Sequence, residues 1–140
     1  MEIIANAIQT VQANQNVYFT DTVVNGNCAI IHRENSGLIT LRGLTNTQCR
    51  ARFLVTYNGN IAVPTTETAG PISLALAIEG EAIPSSTMIV TPGSTEAYFN
   101  VSASVYVDVP RNCCLNIGVK NNSTIPVLVQ NSNMIVTREA

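Results

Sequence analysis

Between residues 97 and 109, Ala97, Phe99, Val101, Ala103, Val105, Val107 and Val109 alternate without a break with Tyr98, Asn100, Ser102, Ser104, Tyr106 and Asp108. A period of two is the signature of a strand whose faces meet different environments, and the 3.6-residue period of a helix cannot produce it. At about 3.3 Å per residue the run spans about 40 Å, the full height of a sandwich, with no room for an internal turn. Its Val/Ala face predicts close packing against a facing sheet.

The rest of the chain extends this pattern. Residues 71 to 79 place Ile72, Leu74, Leu76 and Ile78 opposite Ser73, Ala75, Ala77 and Glu79. Weaker strand signals fall at 7 to 12, 16 to 20, 28 to 32, 37 to 42, 48 to 57, 86 to 91, 113 to 120, 125 to 130 and 133 to 138. Asn25-Gly26, Ser36-Gly37, Asn58-Gly59, Gly70-Pro71, Pro92-Gly93 and Pro110-Arg111-Asn112 separate them with residues that accept positive φ or fix φ near −65°. No window carries helical periodicity. About ten short strands at this spacing predict an all-β sandwich or barrel formed as one domain over residues 1 to 140.

The surface is unusual. Only 11% of residues are charged, against about 25% in an ordinary domain, while 46% are hydrophobic. Asn, Thr and Ser cover the outside in runs such as Thr45-Asn46-Thr47-Gln48 and Asn121-Asn122-Ser123-Thr124. Burying amides and hydroxyls that find partners costs less than burying ions, so such a surface suits extensive subunit contacts. With a net charge of −2 and a pI of about 5.2, neither nucleic acid nor an acidic membrane is an expected partner. Arg33, Arg42, Arg50 and Arg52 are expected on a solvated strand face.

The even-numbered face of the long run places two tyrosines among small neutral side chains and one charge, where a solvent-facing sheet would carry Lys, Glu and Arg. That face is therefore expected to be covered by copies of the same chain, with Tyr98, Asn100, Ser102, Ser104 and Tyr106 as contacts. Residues 1 to 15, apolar at Ile3, Ile4 and Ile8, are expected to be either an anchoring arm or a simple first strand. The arm reading predicts that removing residues 1 to 6 spares the oligomer.

The order of strands and turns resembles the jelly roll of the tumour necrosis factor and complement-collagen superfamily. The resemblance rests on "GLITL" at 37 to 41, "CRARFLVTYNGNIA" at 49 to 62, "GPISLALAIEGEAI" at 70 to 83, "STMIV" at 86 to 90, "YFNVSASVYVDVP" at 98 to 110, "CCLNIGVKN" at 113 to 121 and "MIVTREA" at 134 to 140. Within that group the chain is similar to small trimeric phage and prophage proteins that decorate capsids or form head fibres. Spore-surface jelly rolls are also similar, but no Gly-X-Y stalk is present here. The resemblance implies a tumour necrosis factor-like jelly-roll homotrimer on the outside of a shell. Its partners would be itself and a major capsid protein or other virion component, with Ile3, Ile4 and Ile8 as capsid anchors.

Chemistry-bearing motifs are sparse. His32 is the only histidine, and no nucleophile elbow, HExxH pair or phosphate-cradling glycine loop occurs. No catalytic residue, cofactor or metal is expected. Glu79 and Glu81 about Gly80 are expected to be solvated acids on a hairpin. Cys28, Cys49, Cys113 and Cys114 lack metal-ligand spacing and are expected to be buried free thiols, with a disulfide through Cys28 or Cys49 after release as the alternative. The start lacks a signal-peptide pattern, so synthesis in a host cytoplasm followed by residence on a virion surface is expected. The acceptor patterns at Asn100, Asn121 and Asn122 then carry no sugar. A receptor- or carbohydrate-binding fibre tip, contacting a host-surface glycan through loop residues near Tyr57, is the competing function.

Overall fold

A computed structural model describes residues 1–45 and 47–140. Along the chain run β1 (Glu2–Ala5), β2 (Gln9–Val11), β3 (Asp21–Val24), β4 (Ile30–His32), β5 (Ile39–Arg42), β6 (Arg50–Ala62) and β7 (Ile72–Ile78). They are followed by β8 (Glu81–Ala82), a 3₁₀ turn at Pro84–Ser86, β9 (Met88–Val90), β10 (Phe99–Pro110), β11 (Cys114–Asn121) and β12 (Val127–Arg138). Two six-stranded sheets result. The first has the order β10-β6-β12-β1-β3, with β2 also paired to β12; the second has β4-β5-β11-β7-β8, with β9 also paired to β7. All strand pairs among the described residues are antiparallel. The fold is an all-β sandwich of the jelly-roll type.

The long alternating run becomes β10, paired residue for residue with β6 from Phe99 opposite Ile61 to Pro110 opposite Arg50. Val101, Val107 and Val109 are buried, whereas Ala103 and Val105 are only partly so, because β10 is the edge of its sheet. The core between the sheets includes Phe53, Val55, Tyr57, Met134 and Val136 from the first and Leu41, Leu74, Leu76, Ile117 and Val119 from the second. β7 is buried on both faces at its centre. Ala75 and Ala77 point away from Leu74 and Leu76 yet are covered, beside Lys120, whose ammonium reaches the Gly80 carbonyl at 3.3 Å.

Several expectations are corrected. Asn58-Gly59 is not a turn, because β6 passes straight through it. Gly59 sits where a Cβ would lie 2.4 Å from the Tyr57 hydroxyl, so the glycine makes room for an inward tyrosine rather than for a bend. Tyr57 is accordingly fully buried and cannot serve a loop site. The two strands expected at 125 to 130 and 133 to 138 are one, β12: between Gln130 and Asn133 the register against β6 slips by one residue at a β-bulge, with Asn131 at φ 55°. The bulge turns Ser132 inward to hydrogen-bond the Tyr57 hydroxyl at 2.9 Å.

All four cysteines are free and exposed rather than buried. Cys28, Cys49 and Cys113 lie outside strands, and Cys114 opens β11 on the face opposite Leu115 and Ile117, so none has a core position to occupy. The segment at 16 to 20 is not a strand of either sheet. It crosses between them, bridged by Asn16 to Lys120 and by Phe19 to Ser36.

Residues 1 to 15 are not a free arm. β1 lies inside the first sheet between β12 and β3, and Ile3 is fully buried in the core. Ile4 is half-buried on the outer face, and only Ile8, between β1 and β2, is exposed.

Candidate functional site

The outward face of the first sheet is built by three long strands whose inward neighbours are fixed in the core. From β10 it receives Asn100, Ser102, Ser104 and Tyr106, all exposed. Strand register sets Asn60, Asn58, Thr56 and Leu54 of β6 directly beside them. β12 adds Gln130, Asn133, Ile135 and Thr137 beyond, opposite the same β6 residues. Tyr98 falls just before β10 and is half-buried; that burial, together with the charge of Glu96, raises its phenol pKa. Four of the five expected contact residues thus share one face, and Tyr98 lies at its entry.

Several side chains on this face hydrogen-bond one another. The Asn100 amide donates to the carbonyl oxygens of Asn58 at 2.9 Å and Asn60 at 3.1 Å. Thr56 and Ser104 hydroxyls are 2.8 Å apart, and Asn133 donates to Glu2 at 2.6 Å. Charge appears at the end of the strands nearest Pro110, where Asp108 takes a bidentate pair from Arg52 at 2.8 and 3.0 Å and lies 3.0 Å from Arg50. Hydrogen bonding from Arg52 holds the Asp108 carboxyl below its ordinary value. The Arg52 guanidinium also lies 6.0 Å from the centre of the Tyr106 ring. The expectation that Arg50 and Arg52 belong to a strand face matches their position on β6.

The contributions of β6 and β12 escaped the sequence reading, since the face was inferred from β10 alone. The signal was there: Phe53, Val55 and Tyr57 inward leave Leu54, Thr56 and Asn58 outward, once Asn58-Gly59 is not taken for a turn.

His32 has a structural setting. Its Nε2 donates to the Ser36 carbonyl at 3.1 Å and its Nδ1 accepts from the Thr22 hydroxyl at 3.3 Å, bracing the 33 to 36 turn. Glu79 and Gly80 form the two-residue hairpin loop between β7 and β8, both at positive φ. Among the described residues, no group of three or more His, Cys, Asp or Glu is placed to hold a metal, and no helix is long and apolar enough to cross a membrane.

The fold is similar to that of a C1q-like jelly roll. The globular domain of a zebrafish complement 1qA protein is similar, with a TM-score of 0.65 at 12% identity over 96% of this chain and 93% of that one. A sugar-binding protein, the EclA C-terminal domain, is also similar, with a TM-score of 0.42 at 13% identity over 95% of this chain and 79% of that one. A CBM35 domain from Cellvibrio japonicus Abf62 has a TM-score of 0.36 at 8% identity over 96% and 99%. The latter two superpose too loosely to bear on this chain. No protein-family model and no curated protein sequence matches it.

Proposed function

We propose that this chain is a non-catalytic structural subunit that assembles as a homotrimer through the outer face of its first sheet and decorates the outside of a phage-like shell. The observation that carries the assembly reading is β10 itself. It is a twelve-residue edge strand whose outer face carries a single charge, Asp108, and it leaves the inner-side Ala103 and Val105 partly exposed. A long edge strand without lysine invites pairing or cover, and soluble monomers blunt such edges with charge, proline or bulges. β10 has proline only at its last residue and charge only at Asp108, which its arginine partners neutralise.

Copies of the same chain fit this face because most of its groups are neutral amides and hydroxyls that can pair across an interface, and its Asp108 is already paired with Arg50 and Arg52. The decoration role rests on the resemblance of the strand pattern to small phage proteins and on the charge-poor surface. Substituting Tyr106, 65% exposed on edge strand β10, by Glu is expected to convert the trimer to monomers, since it adds a second carboxylate beside Asp108, which already occupies Arg50 and Arg52, and burying that extra charge costs several kcal/mol. A Tyr106→Glu protein that keeps the wild-type mass defeats the interface reading. Shells prepared without this chain are expected to co-sediment with the wild-type protein and not with the monomeric variant; equal uptake of both removes the link between trimer and decoration.

A further inference from the structure

Tyr18 is the other strongly exposed tyrosine of the molecule, at 56%, and it stands away from the amide face. It lies on the crossing segment where Val17 and Phe19 are fully buried, so alternation alone turns its ring outward. The backbone beneath it is clamped from three sides. Val17 donates to the Val119 carbonyl at 2.8 Å and Phe19 to the Ser36 carbonyl at 3.2 Å. The Gln9 side chain imitates a neighbouring strand, donating to the Tyr18 carbonyl and accepting its N–H, both at 2.9 Å.

The ring is a ridge between three shallow clefts of about 570, 320 and 230 Å³. Gln15, Asn16 and Asn35 line their walls, and Arg33 and Glu34 stand together in the largest, so its charges cancel. Asn35 is held in place by its own N–H to the Phe19 carbonyl at 2.9 Å.

We infer that Tyr18 is the stacking platform of a binding site for a neutral carbohydrate. A pyranose presents an apolar C–H face and a rim of hydroxyls that both donate and accept. A rigid aromatic face ringed by amides complements both features, since Asn and Gln also donate and accept. The clefts are too shallow to enclose an apolar cofactor, and the balanced charges of Arg33 and Glu34 disfavour a polyanion. A tyrosine side chain has only about two torsions to fix, so it loses little conformational entropy on binding, which suits weak but selective capture of repeating glycans. This inference does not depend on the trimer, because Tyr18 is not part of the amide face.

Saturation-transfer NMR on the full chain tests it with three probes: the N-acetylglucosamine trimer, maltotriose and mannotriose. At least one is expected to show saturation transfer. Tyr18→Ala is expected to weaken that binding by about tenfold or more, whereas Tyr18→Phe, which keeps the ring, and Tyr106→Ala, on the amide face, are expected to bind as the wild type does. Thermal melts matching the wild type establish that each variant is folded. Absence of transfer from all three sugars overturns the inference, as does undiminished binding by folded Tyr18→Ala.

Discussion

Asn131, with φ 55°, inserts the extra residue that swings Ser132 toward Tyr57. Asn14, Asn35 and Asn112 also take positive φ, a region that asparagine tolerates better than most residues. The abundance of asparagine, attributed from the sequence to surface cover alone, therefore also serves backbone turns. Asn121 serves the core: it is fully buried, its amide donating to the carbonyls of Val11 and Ile125, both at 2.9 Å, while its oxygen accepts from Ser123. Asn121→Ala leaves both carbonyls unpaired and is expected to cost about 3 kcal/mol, measured as a lower urea midpoint at unchanged slope. Burial pushes the Tyr57 phenol from 10.0 up to about 12. The unfolded chain then releases this proton before the folded one does. Its contribution is complete below pH 10 and is lost as pH rises toward 12, by about 3 kcal/mol. Tyr57→Phe is expected to remove most of that slope in pH-dependent denaturant melts. The contacts of Asn121 with Val11 and of Tyr57 with Ser132 were not legible in the sequence, because each joins residues far apart in the chain.

The elements with strict alternation were the legible ones. β7 and β10 stand within two residues of where their patterns place them, since each turns an alternating row of apolar side chains toward the opposite sheet. Short elements were less so: β1, with only four residues, was one of two readings of an apolar terminus, and β3, Asp21–Val24, gave no signal because neither of its faces is deeply buried. The second sheet also closes a gap that no pattern announces. β7 pairs with β9 at one end and β8 at the other, and between them Ser86 of the 3₁₀ turn accepts the Leu76 N–H at 2.9 Å. At this scale the account makes a prediction opposite to the arm reading. Deleting residues 1 to 6 removes the strand between β12 and β3 together with Ile3, and is expected to abolish the folded β-sheet signal in far-UV circular dichroism. A truncated protein that melts like the full chain contradicts this placement of β1.

For the molecule as a whole, alternation and composition carried an all-β sandwich or barrel and a charge-poor β10 face, and the resemblance narrowed the fold to a jelly roll. The sequence did not carry the edge position of β10, which depends on which strand pairs with which, nor the Tyr18 ridge, which is assembled from β2, the crossing segment and the 33 to 36 turn. The central claim is that the β10 face is covered by copies of the chain. The most direct measurement is the mass in solution by light scattering coupled to size exclusion, over a range of protein concentrations. The account predicts a stable mass near three times 15.0 kDa, falling to a single chain in Tyr106→Glu. A wild-type protein that remains at 15.0 kDa at every concentration contradicts it.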